Sequence, residues 1–154
     1  MTTARDMVTA FMQALETKDF DGAASYLSDD FYFSGSMPQP LNKDQFIKFF
    51  QELAEGIPNI SFHVHDVHEV EENEEGSRVV ATIQMTGHQV NAINLYQLSL
   101  PIIPQMGKSV SLPEEHWEYV VRGNAIAAID AEHVPGGGVA GLLHQLGVDA
   151  WIIQ

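Results

Sequence analysis

The apolar residues of this chain change period at Ile60. Before it most recur every three or four positions, and from Ile60 they alternate with polar ones. The first spacing gathers side chains on one stripe of a helix, the second on one face of a strand. The chain is therefore constrained to helices first and a sheet after them. That order argues for an α+β architecture, with helices on one face of a mostly antiparallel sheet.

Met7, Val8, Phe11, Met12 and Leu15 predict a helix over residues 3–17, with Thr2 or Thr3 as its cap. A shorter helix over 19–27 follows, capped by Asp19 or Asp21. Phe31, Tyr32 and Phe33 make a short strand that enters a loop broken by Gly35, Pro38 and Pro40. Asn42 and Lys43 open a third helix bearing Phe46, Ile47, Phe49, Phe50 and Leu53, which Gly56 and Pro58 stop. Residues 60–70 and 78–88 read as two long strands joined by a polar turn at 71–76. Residues 89–107 are irregular, with Leu95, Tyr96, Leu98, Leu100, Ile102 and Ile103 among Pro101, Pro104 and Gly107, and predict a flap lying over the core. Strands over 110–121 and 125–133 complete the sheet. Residues 135–138 break it, 139–146 predict a short helix, and Trp151, Ile152 and Ile153 an apolar tail.

The 154 residues have one composition throughout and fit a single domain, 1–154, with 45% hydrophobic and 18% charged residues. Twenty-one acidic against 7 basic residues leave a net charge of −14, and no Lys/Arg cluster is present. That balance disfavours nucleic acid and anionic membrane as partners. No apolar run approaches the roughly 20 residues that span a bilayer, and the N-terminus lacks the basic start and apolar run of a secretory leader. With no cysteine there is no disulfide, thiolate nucleophile or thiolate-bound metal. The expectation is a soluble, cytoplasmic protein held together by packing.

Four segments, Tyr26-Leu-Ser-Asp-Asp-Phe-Tyr-Phe33, Ile57-Pro-Asn-Ile-Ser-Phe-His-Val64, Thr86-Gly-His88 and Gly141-Leu-Leu-His-Gln-Leu-Gly147, stand in an order that resembles SnoaL-like polyketide cyclases and related ester cyclases. The resemblance implies a nuclear-transport-factor-2-like (cystatin-like) cone, a curved sheet wrapped by about three N-terminal helices around an apolar pocket. It also implies a homodimer through the outer face of the sheet. The fold serves cyclases, dehydratases, isomerases and epoxide hydrolases as well as plain binding domains. One departure matters. The cyclase pattern resembles Asp-x-x-Gly-Leu-Leu-x-Gln-Leu-Gly, with the Asp as catalytic acid/base, and this chain has Gly138 at that place. The cyclase mechanism does not carry over with it.

Candidate chemistry must come from other residues. Glu115, Trp117, Tyr119 and Val121 share one strand face. If it faces the pocket, Glu115 is a desolvated carboxylate suited to general base work; otherwise it sits in water at the strand's mouth. Asp130 and Glu132 share a face of the last strand, either across from Glu115 or on a dimer face or edge. His88 falls where the resemblance puts a pocket-mouth histidine, and the alternative is a strand-end histidine bonded to backbone or solvent. Asp66 and His68 continue the register of Phe62 and Val64 toward the pocket rim. His63 and His65 share a face without His68, which is poor metal spacing. Tyr32, Phe33, Phe49, Phe50, Met85, Tyr96, Trp117 and Tyr119 supply the apolar lining of a small-molecule cleft, or simply core.

There is no phosphate loop, dinucleotide fingerprint or Gly-x-Ser-x-Gly elbow, so no cofactor is expected. Two functions follow. One is a cofactor-independent cyclase, isomerase or dehydratase that moves protons on a small apolar or carbonyl-containing molecule through Glu115, His88 and Asp130. The other is a non-catalytic ligand-binding or dimerisation domain. They separate on whether two of Glu115, Asp130, Asp66, His68 and His88 enter one cavity.

Overall fold

Capping side chains decide where three of the helices begin. The computed structural model describes residues 3–35, 37, 39–74, 76–98 and 102–148. In α1 (Ala4–Glu16) Thr3 Oγ1 accepts the Asp6 N–H at 3.0 Å, and the Asp6 carboxylate accepts the Thr3 N–H. This reciprocal pairing satisfies donors that a helix start would otherwise orphan. Asp19 caps α2 (Phe20–Ser25) through the Gly22 N–H. After β1 (Leu27–Ser34) and β2 (Leu41–Asn42), Asn42 and Gln45 form the same reciprocal box at α3 (Lys43–Gly56).

The remaining elements are β3 (His65–Asn73), β4 (Gly76–Ile83), β5 (Thr86–His88), a 3-10 turn at Tyr96–Leu98, β6 (Ser109–Ser111), β7 (Glu115–Arg122), β8 (Ala125–Ala131) and α4 (Gly138–Gln145). Six strands make one curved sheet in the order β2-β1-β8-β7-β4-β3, and β5 pairs with β6 in a second. β1 runs parallel to β8; the other neighbours are antiparallel. The architecture is the α+β one that the change of period predicts. β3 lies at the edge and is exposed along most of its length, its charges opposing further strand pairing. No helix among the described residues is long and apolar enough to cross a membrane.

One face of the sheet buries Val79, Ala81, Trp117, Tyr119 and Ile129 with Val8, Phe11, Phe46, Phe50 and Leu53 of α1 and α3 in one core. Phe46 is its hub, with ring centroids 5.0–6.2 Å from Phe11, Phe31, Phe33 and Phe50. Phe33 meets Trp117 edge-on at 5.2 Å. These contacts join the end of the helical stripe to the middle of the sheet.

Three predicted strands are shorter than their sequence pattern. The strand expected from residue 60 begins at His65, because His63 (φ 44°) and Asp66 (φ 53°) take left-handed backbone conformations that reset the alternation. The Phe62 N–H goes instead to the Glu16 carboxylate at 3.0 Å. The strand over 78–88 divides into β4 and β5, and that over 110–121 into β6 and β7, the second break falling at Pro113, which has no N–H for a ladder. The irregular 89–107 segment is pinned from within. Gln89, fully buried, donates to the Pro104 and Asn91 carbonyls and accepts the Met106 N–H, while Ile93, Leu95 and Ile103 bury their side chains. α4 makes a fourth helix where a short one is predicted; Trp151, Ile152 and Ile153, together with Thr2, Pro38, Leu100 and Pro101, lie outside the described residues.

Candidate functional site

After the interruption at Pro113 the strand restarts at Glu115, and alternation then points Glu115, Trp117, Tyr119 and Val121 to the buried face. Glu115 is 3% exposed. The Trp117 indole N–H donates to its Oε1 at 3.2 Å.

Glu115 and Trp117 line a cavity with Phe33 from β1, Phe49, Phe50 and Leu53 from α3, and Met37 and Met85 from connecting segments. Gly138, Val139 and Leu142 of α4 complete it. The cavity measures about 20 Å³, room for on the order of one water, where ligand pockets run to about 300–1,000 Å³. The hollow expected from sequence is thus nearly filled by side chains, because α4 packs its apolar residues into it. α4 is held to β6 by one amide: Gln145 Oε1 accepts the Ser111 N–H at 2.6 Å, and its Nε2 donates to the Ser111 carbonyl at 2.9 Å. The lead-in to α4 places Gly136 (φ 80°) and Gly138 (φ 65°) in conformations that favour glycine.

Of the predicted site residues, Glu115, Phe33, Phe49, Met85 and Trp117 meet at this cavity. Asp130 does not. It is exposed on the opposite face of β8, across from Glu118 in register, and accepts from Ser34 Oγ at 3.1 Å. The strand's alternation buries Ile129 and Ala131 and so turns Asp130 outward. His88 is exposed and bonds Ser109 Oγ through Nδ1 at 3.0 Å, the strand-end arrangement. Asp66 and His68 are exposed on β3, an edge strand with both faces largely exposed, and His68 Nδ1 bonds the Asp66 carbonyl at 2.8 Å. Tyr32 is 51% exposed on the outer face of β1, and Tyr96 is 70% exposed on the 3-10 turn. Both leave the cavity because their buried neighbours, Phe31 and Phe33 in one case and Leu95 in the other, take the inward positions.

Tyr119 is fully buried next to Trp117, ring centroids 6.3 Å apart, but is not part of the cavity lining. Desolvation pushes its phenol well above the usual tyrosine range. Its hydroxyl has no hydrogen-bond partner among the described residues.

Val139 and Leu142 were not legible as lining. The sequence predicts a short helix over 139–146 but not what it covers. Gly138, where the cyclase pattern has its Asp, is in the lining too, so the cavity holds its carboxylate on β7 rather than at the start of α4. Among the described residues no three His, Asp or Glu side chains gather in a group that could hold a metal ion. Wider depressions, of about 510 Å³ beside the β3–β4 turn and about 500 Å³ between α2 and α3, are open and rimmed by charged side chains.

The SnoaL-like domain family model matches residues 8–129. Among solved structures, a candidate hydroxylase, AclR, from Streptomyces galilaeus is similar with a TM-score of 0.70 at 16% identity, covering 96% of this chain and 98% of that one. A candidate polyketide cyclase from Pseudomonas putida KT2440 aligns with a TM-score of 0.65 at 18% identity, over 87% of this chain and 93% of that one. An NTF2-like protein of unknown function from Burkholderia pseudomallei K96243 aligns with a TM-score of 0.64 at 14% identity, over 91% and 94%. At these identities the likeness is one of fold, the NTF2-like fold that the sequence segments imply. No curated protein sequence matches the chain.

Proposed function

Because the chain belongs to the SnoaL-like domain family, we propose that it holds a small, mostly apolar molecule in the Glu115 cavity and moves a proton on it without a cofactor. The observation that carries this reading is a carboxylate 3% exposed in a lining otherwise made of carbon side chains. Such a carboxylate takes a proton from one atom of a bound molecule and returns it to another, the work of an isomerase. A dehydratase or cyclase wants a second acid/base group, and Asp130, His88, Asp66 and His68 lie outside the cavity. The ligand enters by displacing Met37, Met85 and Leu142. Methionine side chains repack at low cost, and among the described residues the side-chain hydrogen bonds from α4 to β6 are those of one exposed amide, Gln145.

A second reading, a binding domain without catalysis, is favoured by Gly138 standing where the cyclase pattern has its acid. Two measurements separate the two. A thermal-shift screen finds the ligand, since binding to the folded state raises apparent stability. Solvent deuterium incorporation into that ligand is then followed by NMR with the wild type and with Glu115→Gln. Deuterium entering with wild type but not with the variant supports proton transfer; binding with no incorporation leaves the binding reading standing.

A further inference from the structure

We infer that the ligand of this cavity is a small organic cation, an apolar amine carried in protonated form, with Glu115 as its counter-ion. The inference rests on the reading that the cavity is a ligand site, and not on proton transfer there.

The lining offers a positive charge much and an oxyanion little. Four aromatic residues, Phe33, Phe49, Phe50 and Trp117, line the cavity together with Glu115. Aromatic faces attract an ammonium group through the ring quadrupole, most strongly where water is excluded. A buried carboxylate adds a charge-assisted hydrogen bond. The lining contains no lysine, arginine, histidine, hydroxyl or amide side chain among the described residues. The indole N–H of Trp117 already points at Glu115. Among the described lining residues, a carbonyl oxygen, or the enolate formed from it, would find main-chain donors, such as those of the first α4 turn at Gly138 and Val139, but no cationic or hydroxyl side chain. The protein's net charge of −14 acts in the same direction, raising the local concentration of cations over that of anions.

Size agrees with this. The free volume of about 20 Å³ is that of a water-sized group, which an ammonium head matches. The apolar arm would then extend past Met37, Met85 and Leu142.

The experiment titrates the protein with benzylamine, benzyl alcohol, acetophenone and benzoate, which share a ring and differ in charge and acceptor. It follows the 15N–1H signal of the Trp117 indole in wild type and in Glu115→Gln. Benzylamine is expected to bind wild type about tenfold more tightly than benzyl alcohol or acetophenone, a difference of about 1.4 kcal/mol. Glu115→Gln is expected to remove that preference while the alcohol's affinity stays within about twofold. Acetophenone or benzyl alcohol binding wild type as tightly as benzylamine overturns the inference and leaves the ligand site standing. Benzoate as the tightest binder overturns it in favour of the α4 main chain. No response of the Trp117 signal to any of the four overturns the ligand site itself. The wild-type rank order decides the matter even if the variant does not fold.

Discussion

Trp117 gives its indole N–H to the Glu115 carboxylate two residues back on the same strand, at 3.2 Å and out of contact with water. The pair lies on one face because a strand has period two, and it is dry because α3 and α4 close over it. Taking an acid out of water carries a desolvation expense that its hydrogen bonds must offset.

The first prediction concerns that expense. Glu115→Gln keeps the shape and the acceptor for Trp117 while replacing the buried carboxyl group with an amide. It is expected to raise stability by about 0.5–2 kcal/mol and to abolish proton transfer to a bound ligand. Urea unfolding measures the first, and a stability loss of similar size would show that the carboxylate is structural.

Trp117→Phe is expected to act in the opposite direction. It leaves the aromatic filling largely in place but withdraws the donor from Glu115, at a cost of about 1–3 kcal/mol for the loss of a buried hydrogen bond. In the double variant with Glu115→Gln the cost should shrink, since an amide oxygen is the weaker acceptor. Additive costs in that double-mutant cycle would mean the two side chains are not coupled.

Tyr119 governs behaviour at alkaline pH. Burial raises its phenol well above the usual value, so the folded chain keeps a proton that the unfolded chain loses near pH 10. Above that pH the folded state binds more protons than the unfolded, and stability falls as pH rises. In a spectrophotometric titration the Tyr119 step should therefore arrive together with unfolding. Tyr119→Phe removes a buried hydroxyl without a partner among the described residues and is expected to stabilise by about 1 kcal/mol and to move the alkaline transition upward. An unchanged transition would show that other groups set it.

Gln145→Ala unfastens α4 from the Ser111 main chain. The bonds are exposed, so the global effect is about 0.5–1.5 kcal/mol. The amides of α4 should exchange faster while those of β7 and β8 keep their protection, as expected when one element opens locally. Equal acceleration throughout would mean that α4 opens only with the whole fold.

Much of this was written in local pattern. The stripes of α1 and α3, the caps at Thr3, Asp19 and Asn42, and the alternation that turns Glu115 and Trp117 inward all depend on neighbours a few residues away. What escaped depends on parity and on distance. His68 lies away from the cavity because β3 is an edge strand exposed on both faces, which the alternation from Phe62 and Val64 does not reveal. Which way Asp130 points is settled by Ile129 and Ala131 together, and both faces of that strand were readable as inner. That Leu142 fills the hollow is a matter of volume in three dimensions, and no spacing records it. Gly138 was informative as a missing acid, yet only its place in the lining showed that Glu115 supplies a carboxylate to the same cavity.

The most direct test is a crystal structure with the ligand found by thermal shift. The account predicts density between Phe33, Trp117 and α4, with Leu142 displaced and a ligand nitrogen or reacting atom within about 2.6–3.2 Å of the Glu115 carboxylate. A ligand seated in the open depression beside the β3–β4 turn, with the Glu115 cavity as full as before, would contradict it.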